Sequence, residues 1–143
     1  MRKTVAIFGL LAVGMSTPGV PQQRALGEPS TFTIFFDWGK PEIARDGGAI
    51  LDAAATAFLK NPAAPMRLSG HTDRSGTADG NRRSALKRAE AVRDYLETRG
   101  VPRGAMTLVS LGEDRPLIAT EDGVREVQNR RVEISFGVDG SQR

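Results

Sequence analysis

The stretch GHTDRSGTADGNRRSALKRAEAV, Gly70 to Val92, decides how the chain folds. It opens within a short apolar–polar run, MRLSGHTD, that reads as a strand ending in a polar corner. A turn-rich passage from Arg74 to Gly80 follows, punctuated by Gly76 and Gly80. Next comes a helical run in which Ala85, Ala89, Val92 and Leu96 recur at i, i+4, i+7 and i+11. A strand end, a turn and a helix start are thereby brought together, with Asp73 on the strand end and Arg88 about two turns into the helix. An ionised Asp73 is acceptor-only and can receive an ammonium. The helix N-terminus and the planar fork of Arg88 can each attract a carboxylate. Such a set fits a ligand carrying both charges.

Downstream, Thr77 is placed to cap the helix, which runs from about Thr77 to Arg99, and Gly100-Val101-Pro102 stops it. Met106 to Ser110 reads as a third strand and Arg130 to Phe136 as the last. The passage between, Gly112 to Gln128, is irregular, with a short helical turn expected around Val124. Upstream, TFTIFF (Thr31 to Phe36) is β-branched and aromatic and reads as the first strand, ended by Asp37, Trp38 and Gly39. Pro41 suits the start of a helix whose one face carries Ile43, Ile50, Leu51, Ala54 and Phe58, and Asn61-Pro62 ends it. Met66 to Thr72 is the second strand. The order β-α-β-α-β-β predicts an α+β fold, a two-layer βαβαββ sandwich. Two main helices pack on one face of a mixed sheet, with right-handed crossovers between parallel strands.

Residues 1–19 have Arg2 and Lys3, an apolar run from Val5 to Met15, then small residues, the layout of a secretory signal peptide. Cleavage is expected near Gly19, although Ala25 and Gly27 also supply small residues, and an uncleaved anchor is the alternative. A linker at 20–30, a domain at 31–137 and a tail at 138–143 complete the organisation. Without Arg2 and Lys3, 18 of the 20 basic residues remain against 17 acidic ones, so the mature chain is nearly neutral. No basic patch with interleaved aromatics points to nucleic acid. Zero cysteines exclude disulfides, a thiol nucleophile and a lipidated Cys within these residues. Neither a metal nor a cofactor is expected, because no His/Cys cluster has ligand spacing.

GHTD, Asn81, KRAEAVRDYLETRGVP, Gly112 and NRRVEISF together resemble the peptidoglycan-binding domain at the C-terminus of outer membrane protein A. Peptidoglycan-associated lipoproteins and flagellar stator proteins carry similar domains, and FFDW (Phe35 to Trp38) matches their first strand. The resemblance spans roughly Thr31 to Phe136. It implies non-covalent binding of peptidoglycan through the diaminopimelate of its peptide stem, gripped by Asp73 and Arg88. Asn81, Thr72, Phe36, Asp37 and Arg130 are the further site candidates. It also implies a periplasmic location at the cell wall, near the outer membrane, with room for an envelope protein partner. The family usually has Leu-Ser three and four residues after the Asn, where this chain has Ser84 and Ala85. Apolar contact near the helix start is therefore expected to pass to Leu86.

Plainer roles stand beside these. Asp73 suits a turn before a helix, Arg88 a solvated helix face, Asn81 a turn-orienting amide, and Arg130 either the ligand shell or a structural ion pair. Arg131 alternates to the other face. His71, the single histidine, is expected to be structural. An enzyme using His71, Asp73 and Ser75 or Ser84 is the rival class, but Ser75 lacks a Gly-x-Ser-x-Gly elbow. A protein-interaction adaptor with a weakened wall site is the second rival.

Overall fold

The computed structural model describes residues 31–137, so the expected leader (1–19), linker (20–30) and tail (138–143) lie outside the described residues. β1 (Thr31–Phe35), α1 (Arg45–Lys60), β2 (Met66–His71), α2 (Ala78–Thr98), β3 (Met106–Gly112) and β4 (Arg131–Phe136) follow in the expected order. The strands form one mixed sheet in the order β1-β4-β2-β3. β4 runs antiparallel to both its neighbours, setting Val132 beside Ile34 and Ile134 beside Leu68. β2 and β3 are parallel, with α2 as the connection that parallel strands require.

Strand alternation then assigns the two faces. Ile34, Leu68, Val132 and Ile134 point toward Leu51 and Phe58 of α1 and Val92 and Leu96 of α2, forming the core. Each such side chain stabilises the fold by roughly 1.5–3 kcal/mol on burial. Both helices therefore cover one face of the sheet, and the fold is α+β. The intervening positions, Arg67, Ser69 and His71 on β2 and Arg131, Glu133 and Ser135 on β4, turn to the opposite face.

Local chemistry sets the limits of α2. The Thr77 hydroxyl accepts a hydrogen bond from the Gly80 N–H at 3.1 Å, the cap expected. At the other end Val101 N–H bonds to Leu96 O and Gly100 N–H to Glu97 O, both at 3.1 Å. With Gly100 at φ 96 this is a Schellman stop, and the buried Val101 supplies its apolar contact.

Several boundaries differ from the sequence expectation. α1 begins at Arg45 and not near Pro41, and the Asp37 and Lys40 carbonyls, left outside the helix, turn toward Arg88. Its buried face is Gly47, Leu51, Ala54, Ala55 and Phe58, which leaves Ile50 at the edge and exposed. β3 extends to Gly112 through an irregularity opposite Gly70 and His71. The short helical turn falls at Val127–Asn129, not around Val124. Ala85, not Leu86, makes the contact near the helix start: Ala85 is fully buried and Leu86 is 40% exposed.

The reason for a small residue there is a close approach of helix to sheet. A Cβ on Gly70 would lie 2.1 Å from the Ala85 carbonyl oxygen, a backbone atom that cannot swing aside. Gly70→Ala should accordingly force α2 off β2 and cost about 1–3 kcal/mol, the usual penalty of overpacking. Gly104→Ala, where a Cβ meets nothing within 4 Å, should stay within about 0.5 kcal/mol of wild type. Urea denaturation of both variants checks this, and equal stability would show that α2 does not rest on Gly70.

Candidate functional site

Three chain segments converge where β2 ends. Asp73 leaves β2, Arg130 precedes β4, and Phe36 and Asp37 follow β1. Asp73 is 2% exposed and its side chain is fully engaged. Oδ1 accepts the Ser75 hydroxyl at 2.5 Å and the Ser75 N–H at 3.1 Å. Oδ2 accepts Arg130 Nη1 at 2.8 Å and the Glu126 N–H at 3.2 Å. Burial pushes this carboxyl up, but the Ser75 hydroxyl, Arg130 and the two backbone N–H groups outweigh it and hold it below the usual carboxylate range. A carboxylate offers about four lone-pair positions, and here each has a donor. Asp73 is thus a structural hub whose lone pairs are all engaged by protein donors.

Arg130 completes the hub. Its Nε donates to Phe36 O at 3.0 Å, and Phe36 N–H donates back to Arg130 O at 2.8 Å. Of the two roles left open for Arg130, the buried ion pair with Asp73 is formed. Phe36 is buried beneath the site, its ring 5.6 Å from the Arg88 guanidinium carbon. Asp37 is exposed and lines a neighbouring hollow with Lys40 and Ile43; only its carbonyl turns toward Arg88. Asn81 is an organiser: its amide donates to Asp73 O at 3.2 Å and to Glu113 at 2.7 Å.

Arg88 is different. It is 4% exposed, yet its N–H groups reach only the carbonyls of Lys40, His71 and Asp37, at 3.4 to 3.5 Å. Among the described residues no carboxylate forms an ion pair with it. Burial, followed by the charge of Arg130, pushes its pKa down, and Asp73 offsets this only in part. Of two buried guanidiniums near Asp73, only Arg130 pairs with it. Arg88 faces a cavity of about 140 Å³ shared with Asp73, Arg130, Asn81 and Thr72. Thr72 is 3% exposed and its hydroxyl has no hydrogen-bond partner among the described residues. Of the first turn of α2, Asn81 lines this cavity with Arg88, whereas Ala78 and Asp79 do not.

Residues outside the sequence expectation also contribute. Trp38, half exposed, donates from Nε1 to Ser75 Oγ at 3.1 Å and stacks under Arg125 at 3.6 Å. A lone exposed Trp beside a strand end was the available signal. Ser84, where the resembling domains carry Leu, lines both this cavity and a second hollow on the other side of Arg88.

The OmpA family profile matches residues 35–130, and that span contains every element of the site. The chain belongs to the OmpA family. It is 36% identical over 131 residues to the peptidoglycan-associated lipoprotein of Rhizobium meliloti, covering 92% of this chain and 73% of that protein. It is 35% identical over 104 residues to the peptidoglycan-associated lipoprotein of Haemophilus influenzae, covering 73% and 68% respectively. The crystal structure of the peptidoglycan-associated lipoprotein from Burkholderia pseudomallei superposes with a TM-score of 0.71 at 29% identity, over 82% of this chain and 99% of that one.

In this OmpA-family domain the ion pair at the hub makes acid behaviour predictable. Asp73 has a depressed folded pKa, so its stabilisation is fully present above the unfolded carboxyl value, near pH 4, and is lost as pH falls through the folded value. Asp73→Asn should cost about 3–5 kcal/mol at pH 7, since it leaves Arg130 buried without its counter-charge. The gap to wild type should narrow below about pH 4. Denaturant titrations across that range measure it; a constant gap would exclude Asp73 ionisation as its source.

Proposed function

We propose that this domain binds peptidoglycan non-covalently through the diaminopimelate residue of its stem peptide and holds the protein at the cell wall, in the periplasm. Arg88 carries the proposal: a buried guanidinium, lacking a carboxylate partner among the described residues, beside a small polar cavity. A ligand carboxylate would supply two short charge-assisted hydrogen bonds in place of three long carbonyl contacts. The ligand ammonium would approach Asp73 Oδ1 in place of the Ser75 hydroxyl, and the unpartnered Thr72 hydroxyl stands ready for a third contact. The names of the relatives support the wall as partner, and the diaminopimelate comes from the family resemblance. An envelope protein partner is compatible with this arrangement. None of the described helices is long and apolar enough to cross a membrane.

The arrangement favours binding over catalysis. Ser75 donates to Asp73, while His71 lines the opposite face of the sheet beside Glu133. The serine, histidine and aspartate are therefore not assembled into a relay.

Because Asp73 supports the fold, Arg88 is the cleaner probe. Arg88→Met removes an uncompensated buried charge while keeping length, so stability should be unchanged or raised. Sacculus co-sedimentation should weaken roughly 10- to 150-fold, the equivalent of about 1.5–3 kcal/mol for a charge-assisted contact. A folded Arg88→Met protein that sediments like wild type would remove Arg88 from the site.

Ligand charge provides a second check. Amidating the side-chain carboxylate of diaminopimelate should weaken binding, since Arg88 would then meet a neutral oxygen. Trp38, the single tryptophan, touches the Ser75 hydroxyl that the ammonium would displace, so its fluorescence should follow the titration. Equal affinity for acid and amide would contradict a carboxylate on Arg88.

A further inference from the structure

The sheet face turned away from the helices holds a second cavity, of about 190 Å³, between β2, β4 and the segment after β3. Its walls are rich in donors that lack acceptors. Arg131 is 4% exposed; its Nε donates to Glu133 Oε1 at 2.8 Å and its Nη2 to Arg115 O at 3.1 Å. Its Nη1 is buried with no acceptor among the described residues. A buried N–H without a partner costs about 1–3 kcal/mol, more on a charged group. His71, 2% exposed, lines the same cavity with neither ring nitrogen hydrogen-bonded, and either tautomer presents one N–H.

Charge points the same way. Arg67 and Arg115 reach the cavity from its rim, and neither forms an ion pair among the described residues. Glu133 is the single carboxylate on the wall. His71, 3.6 Å away, and then the hydrogen bond and charge of Arg131 hold it at about 2 against burial, so it stays ionised. At 3.6 Å the imidazole is too far for a formed hydrogen bond, and Arg131 is the firmer contact. The Arg131–Glu133 pair cancels, and Arg67 and Arg115 leave the cavity with an excess of about two positive charges.

We propose that this cavity binds a phosphate-class oxyanion. A phosphate carries up to two negative charges and at least three acceptor oxygens, matching two unpaired arginines, the free Nη1 of Arg131 and the His71 N–H. The Ser69 and Ser135 hydroxyls add further donors. A carboxylate would satisfy half the charge and fewer donors. The site lies on the opposite face of the sheet from Arg88 and is independent of the peptidoglycan proposal.

Titration of the protein with inorganic phosphate, followed by NMR at the His71 ring and the Ser69 and Ser135 amides, tests this. Saturable shifts are expected. The double substitution Arg67→Gln with Arg115→Gln, at two exposed positions, should weaken binding at least 10-fold, while Arg88→Met should leave it unchanged. Co-sedimentation with phosphatidylglycerol vesicles but not phosphatidylcholine vesicles, lost in the double variant, would identify a lipid headgroup as the source of the phosphate. Saturable phosphate binding without co-sedimentation would identify a soluble phosphate. Non-saturable shifts, an unweakened double variant, or equal affinity for acetate would each overturn the proposal.

Discussion

Asp73 and Arg130 meet at 2.8 Å in a place where almost no water reaches them. Charges in such a setting are costly unless their remaining valences are filled. Here they are filled by Ser75, the Glu126 N–H and Phe36 O. Three separate stretches of chain are thereby bound to one another: the exit of β1, the exit of β2 with the turn that follows it, and the segment before β4. The long return from β3 to β4 is fixed to the same point. Arg74 O accepts the Gly123 N–H, and the buried Asn129 side chain clasps Ile118 through both its amide atoms.

This pairing has a consequence for Arg88. Once Asp73 is committed to Arg130, Arg88 stays in the same small volume without a counter-ion among the described residues. The surrounding carbonyls are too distant to compensate, and the Phe36 ring adds only a weak attraction. The domain therefore keeps a buried cation, without a carboxylate partner among the described residues, on the wall of this small cavity. Ser84 lines the same cavity, and Trp38, stacked with Arg125, borders it.

The sheet separates two chemistries by simple alternation. Even-numbered positions of β2 and β4 enter the apolar layer beneath α1 and α2, while odd-numbered positions build a cationic surface behind it. His71 and Asp73 consequently serve different sides of the molecule although they stand two residues apart, because the chain leaves the strand between them.

Element order was legible in the sequence because it rests on short-range chemistry. Apolar spacing marked α2, the Thr77 cap and the Gly100 stop bounded it, and β-branched runs marked the strands. Family membership was legible for the same reason, since GHTD, Asn81 and NRRVEISF lie at fixed spacing around those elements. Strand order, with β4 inserted between β1 and β2, was not legible, because hydrogen-bonded neighbours about 65 residues apart leave no local periodicity. The exposure of Leu86 and burial of Ala85 were also hidden, since only the 2.1 Å approach at Gly70 decides which residue fits. Asp73 and Arg88 could be named from the sequence, but not which of them would be satisfied within the fold. That depended on Arg130, 57 residues from Asp73, and a carboxylate's partner is settled by distance in space, which only the tertiary structure determines.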